Sequence, residues 1–260
     1  DLKRYAQVIV AAVNRDNSNS GFRLIQKLLP DNQLNIEEND NPLLLTRDLH
    51  AKDQVYVVIN AIDKEHLFKD INKNKELLRG YYDEQFILRG SRFLFNDNQI
   101  EYEEKLKTDY GWNIKIPWGW EIIRNDKNNS FFWMGSEYPY RWISVKWDDG
   151  NIIEDQLSIG SAIWNYPINN YKSIRFNDHM FKLEKIYFDN YKGWQCSGVW
   201  ESSDSLDAKG GPFYSYLFYD NNSDRTFHIN TLVHNPGKPK AVFIRQMRLI
   251  AKSLSPGSKN

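Results

Sequence analysis

The tryptophans of this chain are confined to one part of the sequence. All nine lie between Trp112 and Trp200. Indole rings are large and apolar, and so many of them are buried most readily between a sheet and its helices. The sequence therefore predicts its main core in this part of the chain. At 260 residues the chain is long enough for one large domain or two small ones. The change in composition and the polar break Asn96-Asp97-Asn98 together predict two subdomains, residues 1–98 and 99–260.

The first subdomain is predicted to mix strands and helices. Two segments rich in valine and isoleucine, 5–13 and 54–61, are typical of buried strands. A short helix is expected over 21–29. Apolar residues at helical spacing predict a long helix, 63–94, with Asp63 as its N-cap.

The second subdomain is predicted to be rich in strands. Short turns between consecutive strands indicate antiparallel pairing. Helices are expected over 99–110, as an insertion over 151–165, and at the end of the chain over 239–254. The predicted fold class is therefore α+β, with mainly antiparallel sheets packed against helices. The predicted strands are 112–116, 120–125, 130–135, 141–147, 181–188, 193–201, 212–219 and 225–234.

Charge and hydropathy exclude two classes of protein. The 34 basic and 34 acidic side chains balance to zero net charge. A generic binder of nucleic acid needs a basic surplus, so we expect no nucleic-acid partner. The longest apolar run, 8–13, falls far short of the roughly 20 residues that a membrane-spanning helix needs. We therefore expect no transmembrane segment.

The single cysteine, Cys196, excludes an intrachain disulfide. Alternate residues of a strand share a face, which places Cys196 between Trp194 and Trp200. No cation or helix N-terminus that would activate a thiolate is evident nearby. The pattern predicts a buried thiol packed between two indoles.

Motifs for catalysis and metal binding are absent or incomplete. No nucleophile-elbow, phosphate-loop or dinucleotide-binding glycine string occurs. The histidines include no pair at zinc-binding spacing on a helix. The acidic segment 220–224 begins like a calcium loop, but Arg225 and Thr231 stand where glycine and glutamate are needed, so a hairpin turn is expected. We predict no catalytic, cofactor-binding or metal-binding residues, and no cofactor.

Carboxylates leave one enzymatic interpretation open. Adjacent pairs on helices and turns are typical of solvated charge, but two carboxylates distant in sequence could assemble a glycosidase-like site. The adjacent pairs are Glu103-Glu104, Asp148-Asp149 and Glu154-Asp155.

A turn between two tryptophans is the candidate contact for a ligand or partner. Pro117 and Gly119 predict a turn, and Trp118 and Trp120 lie on either side of Gly119. A turn can present an indole to solvent, where it could stack on a sugar or anchor a protein. Core packing is the competing interpretation, more strongly for Trp120 than for Trp118. The predicted contact residues are Pro117, Trp118 and Trp120.

Several strings in sequence order together resemble one known family. They include Thr46-Arg47-Asp48-Leu49-His50, Ile116-Pro117-Trp118-Gly119-Trp120, Phe131-Phe132-Trp133, Gly198-Val199-Trp200 and Gly210-Gly211-Pro212-Phe213. The chain is similar, over about 46–254, to a family of envelope lipoproteins of Gram-negative bacteria that is defined only as a domain of unknown function. Its members usually begin with a lipoprotein signal and a further strand–helix unit, so the resemblance implies a processed or trimmed chain here.

Two further implications concern fold and location. Residues 112–254 resemble the PsbP and Mog1 folds in architecture, which implies nothing about function. The family resemblance implies an exported protein, anchored to the outer membrane through an upstream lipidated cysteine and facing the periplasm or the cell exterior.

The Gly210-Gly211-Pro212-Phe213 string is interpreted as structural. Adjacent glycines permit positive φ, and proline suits the first residue of a strand. We expect the string to set the register of a central strand that is apolar on both faces.

The leading functional hypothesis is a non-enzymatic envelope lipoprotein. It would act as a binding or accessory subunit of an outer-membrane-associated protein assembly, with envelope proteins as partners. The alternative is a glycan-binding module or a glycan-active enzyme of the envelope.

Overall fold

The computed structural model describes residues 2–13, 16–34, 42–153, 155–204 and 209–257. The chain divides into two compact units, Asp1–Arg92 and Phe93–Asn260. The predicted start of the second subdomain at residue 99 stays a prediction. Among the described residues no helix combines the length and apolarity needed to cross a membrane.

The first unit is built around a three-stranded sheet with the strand order β1-β3-β2. β1 and β3 pair in parallel, and β2 pairs antiparallel with β3. All seven residues of β3 are buried, whereas β1 buries only alternate residues and is thus not the fully buried strand that its composition predicts. The elements are β1 (Gln7–Val13), α1 (Ser20–Leu28), α2 (Asp31–Leu34), β2 (Leu43–Arg47), β3 (Val55–Ala61), α3 (Lys64–Lys73) and α4 (Lys75–Leu94).

The two faces of β3 belong to two hydrophobic clusters. Tyr56 and Val58 pack with β1 residues and with Phe22 and Ile25 of α1. On the other face, the cluster joins β2 and β3 to α4. It contains Leu43, Val55, Val57, Ile59 and Leu78.

The predicted long helix 63–94 is two helices, α3 and α4. Asp63 caps α3 as expected, because its side chain accepts a hydrogen bond from the His66 amide. Asn74 ends α3, with φ −102° and ψ 10°, and its side-chain amide donates to the Asp70 carbonyl. An Asn side chain that bonds to nearby backbone competes with helix continuation, which explains the break.

The second unit is built on an eight-stranded antiparallel sheet. The path is β4-β5-β6-β11-β10-β9-β7, and β8 also pairs with β9. The prediction of an α+β fold with mainly antiparallel sheets is confirmed. The strands are β4 (Glu121–Asp126), β5 (Phe131–Ser136), β6 (Tyr140–Asp149), β7 (Ile174–Phe176), β8 (Lys182–Phe188), β9 (Tyr191–Ser202), β10 (Gly210–Asp220) and β11 (Arg225–His234).

Helices cover both faces of this sheet. α6 (Gln156–Asn170) contributes Ile159, Ile163 and Tyr166 to a cluster that also contains Trp194, Cys196 and Trp200. α7 (Ala241–Lys252) lies on the opposite face, where Arg141 of β6 donates to Gln246. α5 (Ile100–Tyr110) precedes β4. The inserted helix, α6, begins later than the predicted residue 151, because Asp155 forms a capping box with Ser158 at its start.

Segment 112–116 is not a strand, contrary to the prediction. Only Asn113 bridges to another segment, at Ser255, while Trp112 is buried edge-on to Trp147 and Phe227. The alternation of buried and exposed residues over 112–116 matches a strand. However, the buried Trp112 side chain packs on the face of the sheet, and the segment does not add a strand to it. Two short strands, β2 and β7, were not predicted because neither carries a strong period-two pattern.

The glycine–proline string lies where expected, but for a different reason. β10 is central, between β9 and β11. Neither Gly210 nor Gly211 has positive φ; instead, a Cβ on Gly211 would lie 2.0 Å from the Val233 carbonyl oxygen. Close strand approach therefore demands glycine there. Pro212 is the third residue of β10 rather than the first.

Candidate binding surface

One end of the large sheet collects aromatic side chains. The antiparallel registers place the starts of β4, β6 and β10 beside the ends of β5, β11 and β9. Aromatic residues at these strand ends, with the neighbouring turn and the start of α7, form a surface that we call the aromatic end. It consists of Trp118, Trp120, Tyr138, Tyr140, Trp142, Trp200, His234 and Phe243.

Trp118 stands on a well-fixed turn. Gly119 takes φ 76°, a conformation that favours glycine, and the Trp120 amide donates to the Pro117 carbonyl at 3.2 Å. The Trp118 amide donates to the Asp97 carbonyl at 2.9 Å. Gln99 donates its side-chain amide to the carbonyls of Pro117 and Trp120, at 2.9 and 2.7 Å. The indole of Trp118 is 79% exposed, so a rigid turn presents an open aromatic ring.

The other two predicted contact residues lie beneath this turn. Trp120 is only 5% exposed, and Pro117 is buried. Of the three residues, only Trp118 therefore offers a side chain to solvent, and contact of a ligand with it stays a prediction.

Three tyrosine and tryptophan rings follow each other along the start of β6. The ring centroids of Tyr138 and Tyr140 are 6.1 Å apart, and those of Tyr140 and Trp142 are 5.2 Å apart. Trp142 in turn meets Trp200 edge-on at 5.7 Å. Tyr138 is 86% exposed. Sequence reasoning did not select these residues as a site, although aromatics at every second position, 138, 140 and 142, lead into the predicted strand 141–147.

A groove of about 630 Å³ opens beside these rings. A volume of this size lies within the range of ligand-binding pockets. Most of its lining side chains are apolar, and none is acidic. The lining residues are Tyr138, Pro139, Tyr140, His234, Asn235, Pro236, Lys238, Pro239 and Phe243.

Two smaller crevices adjoin the same rings. One of about 340 Å³ is lined by indoles of Trp133, Trp142 and Trp200 and reaches Lys209. The other, of about 240 Å³, includes Gly119, Trp142 and two glutamates, Glu121 and Glu137. Both carboxylates therefore share a crevice with a ring of the aromatic end.

Arg141 is the unusual charge of this surface. Its guanidinium donates to Gln246 Oε1 at 3.0 Å and to Ser136 Oγ at 2.9 Å, and lies 5.6 Å from the ring centroids of both Trp120 and Phe243. Burial lowers the pKa of this group. No carboxylate of the described residues pairs with it. A partly desolvated cation with only neutral neighbours attracts an anion.

The opposite end of the sheet is polar. A groove of about 640 Å³ there is lined by both basic and acidic side chains. Lys107, Lys127 and Arg225 balance Asp109, Asp149 and Asp224. Mixed, exposed charges of this kind define no specific ligand.

A buried serine–histidine pair lies under α6. Ser215 Oγ and His228 Nε2 are 2.7 Å apart, and Asn230 donates to the same serine oxygen at 3.2 Å. Tyr171 and Ser144 extend this chain of hydrogen bonds. Ser215 is fully buried and His228 nearly so, and neither lines the grooves described above. The pair is therefore part of a satisfied polar network in the core rather than a reaction centre.

Four of the carboxylates singled out from the sequence have structural partners. Glu103 accepts from the Ile116 amide, and Asp148 pairs with Lys146. Asp149 lies 3.5 Å from Arg225, and Asp155 caps α6. Glu154 lies outside the described residues. Within the part of the chain that the structure describes, no group of three or more His, Cys, Asp or Glu could hold a metal ion.

Cys196 is placed as predicted. It is fully buried in the same cluster as Trp194 and Trp200, and burial raises the pKa of its thiol to about 12. A thiol held in this form is a poor nucleophile.

The second unit is thus an α+β domain whose sheet carries open aromatic rings and grooves at one end. The chain belongs to the family described as Domain of unknown function (DUF4837), whose model matches residues 99–253. The family resemblance seen in the sequence is confirmed. A search of curated proteins finds no match.

Solved structures that match share little sequence with the chain. The Ran-binding protein Mog1p of Saccharomyces cerevisiae is 9% identical, covers 57% of this chain and 93% of its own, and has a TM-score of 0.41. A Bacteroides thetaiotaomicron protein is 10% identical over 57% of this chain and 45% of its own, with a TM-score of 0.32. LpqN, involved in cell envelope biogenesis of Mycobacterium tuberculosis, is 7% identical over 55% and 82%, with a TM-score of 0.34.

Proposed function

We propose that the protein is a non-enzymatic lipoprotein of the cell envelope that serves as a binding subunit of an outer-membrane-associated protein assembly. The aromatic end is the surface that contacts the partner. The envelope location rests on the family resemblance of the sequence.

One observation carries the binding role: Trp118 and Tyr138 are 79% and 86% exposed, on turns at the same end of the sheet. Single exposed rings are common, but open rings grouped beside an apolar groove are typical of an interaction site, and aromatic residues dominate the binding energy of protein interfaces. Because hydrogen bonds to the Asp97 carbonyl and from the Gln99 side-chain amide fix the Trp118 turn, little conformational entropy is lost when a partner binds there.

This proposal is tested by cross-linking the protein to its neighbours in the native host and then purifying it. The full-length protein is purified from solubilised outer membranes as wild type, as a Trp118→Ala/Tyr138→Ala double variant, and as Tyr187→Ala. Tyr187 is another open tyrosine, 71% exposed, on β8 away from the aromatic end. We expect wild type and Tyr187→Ala in a complex of fixed composition and the double variant largely free. Recovery of wild type only as a free monomer would contradict the proposal.

A glycan-directed function is the second candidate, because Glu121, Glu137 and Trp142 line one crevice. Glycoside hydrolases use two carboxylates that flank the scissile bond, and an indole can stack on a sugar ring. Glycan-array binding and a hydrolysis assay test it, with Glu121→Gln and Glu137→Gln as variants. Hydrolysis that both variants abolish would favour this candidate over the binding subunit.

A further inference from the structure

We propose that the 630 Å³ groove of the aromatic end binds an extended, proline-containing peptide segment of the partner. An acidic side chain of this segment sits beside Lys238 and is attracted by Arg141, which contacts the lining residue Phe243. This inference rests on the proposed function in taking the ligand to be a protein. It adds the chemistry of the segment that is bound.

The shape of the groove fits an extended chain. Tyr138 and Tyr140 lie on its wall with ring centroids 6.1 Å apart, so two aromatic rings are presented side by side along the groove. Three prolines, Pro139, Pro236 and Pro239, make much of the remaining wall rigid. Grooves lined by aromatic rings are a recurrent docking site for polyproline-type segments, which lose little entropy on binding.

The charges select an acidic segment. No lining residue is acidic, and Lys238 is exposed on the rim. The Lys209 ammonium lies 5.7 Å from the ring centroid of Tyr140. Arg141 does not itself line the groove, but its guanidinium lies 5.6 Å from the ring centroid of Phe243, a lining residue, and has no carboxylate partner among the described residues. Glu137 precedes Tyr138 in sequence but lines the neighbouring crevice instead.

The ring arrangement favours a peptide over a sugar. A sugar stacks on an open aromatic face, whereas peptide side chains can also pack against ring edges. Tyr140 is stacked on Trp142 with an interplanar angle of 23°, and the Lys209 ammonium lies over its ring. Of the two tyrosines in this groove, Tyr138 is therefore the one with an open ring face. One open face is too small a surface for a glycan to stack on.

Selection from a random peptide library on the purified full chain tests the proposal. Displayed peptides of about 12 residues are long enough to span the groove at about 3.1 Å per residue. Enriched sequences are synthesised with a fluorescent label and titrated by anisotropy. We expect them to carry aspartate or glutamate next to proline or apolar residues, and to bind more weakly as salt is raised.

Five variants locate the binding. We expect Tyr138→Ala and Arg141→Gln each to raise the dissociation constant about tenfold, as loss of an aromatic anchor or a charge-assisted contact does. Lys238→Glu, an exposed change that leaves the fold intact, should weaken binding similarly. Tyr187→Ala should have no effect. Arg141→Lys, which keeps the charge, should retain most of the affinity and separates a charge effect from a packing defect.

The possible results distinguish failure of the peptide proposal from failure of the binding-subunit function. No enriched sequence, enrichment of basic peptides, or affinity unchanged by Tyr138→Ala and Lys238→Glu overturns the peptide proposal. If the cross-linked envelope complex still forms through the aromatic end, only this inference fails and the binding-subunit function stands. Acidic saccharides that bind in place of peptides, and are lost in the same variants, contradict both.

Discussion

Trp200 shows how one residue can serve two parts of the fold. Its ring is almost fully buried in the cluster under α6, while its indole nitrogen donates to the Val233 carbonyl of β11 at 3.2 Å. It also meets Trp142 of the aromatic end. The same side chain therefore joins the core to the candidate binding surface.

Trp194→Ala and Trp200→Ala are each expected to lower the free energy of unfolding by about 3–5 kcal/mol, because both remove a large buried ring and leave a cavity. Chemical denaturation followed by circular dichroism measures the effect. Trp118→Ala is the matched control, since its ring is exposed and the change should stay within about 0.5 kcal/mol. Unfolding curves of the buried variants that overlay wild type would refute the expectation.

His228 is expected to make stability depend on pH. Burial, helped by the Lys146 ammonium, lowers the pKa of His228 to about 3, against 6.5 in an unfolded chain. Between these values the unfolded state binds the proton and the folded state does not, so stability falls as pH drops below about 6.5. By pH 5 the loss should reach about 2 kcal/mol.

Denaturation at a series of pH values tests this, with His228→Gln as the comparison. The amide keeps a hydrogen-bonding group near Ser215 but cannot titrate. The slope between pH 6.5 and 5 should flatten in this variant. An equal slope in both proteins would mean that another group is responsible.

At the scale of elements, the central hairpin of β10 and β11 depends on one glycine. A Cβ on Gly211 would clash with the Val233 carbonyl at 2.0 Å, a backbone atom that cannot move aside without separating the strands. We expect Gly211→Ala to destabilise the protein by at least about 2 kcal/mol, as forced strain in a packed interior does.

Gly160→Ala in α6 is the contrasting substitution. A Cβ there would meet only Leu183, at an ordinary 3.7 Å. Alanine favours a helix, so a gain of about 0.5–1 kcal/mol is expected. Thermal melts of the two variants should therefore move in opposite directions, and a Gly211→Ala protein as stable as wild type would argue against the close-approach explanation.

At the scale of the whole molecule, the second unit is expected to fold without the first. A chain of residues 93–260 keeps the segment 97–99 that holds the Trp118 turn. A chain of residues 99–260 loses the Asp97 carbonyl that accepts from Trp118. Both should melt cooperatively, with faster hydrogen exchange at the Trp118 amide in the shorter one. Failure of the 93–260 chain to fold would show that the two units depend on each other.

Much of this architecture could be predicted because it is encoded locally. Seven strands of the second unit follow from valine, aromatic and turn patterns, and Cys196 between two indoles follows from period two. The hairpin turn between β10 and β11, with its incomplete calcium-loop pattern, is confirmed as a turn. Membership of the family was evident from ordered short strings.

What the sequence determined by itself was the class of fold and most of the strands of the second unit, because these depend on alternation, turn chemistry and glycine. Only the tertiary structure decided that Tyr138, Tyr140, Arg141 and Phe243 meet at one sheet end, and that Ser215 bonds to a buried His228. The physical reason is strand register: residues about a hundred positions apart become neighbours only through a chain of hydrogen-bonded pairings that no local pattern specifies.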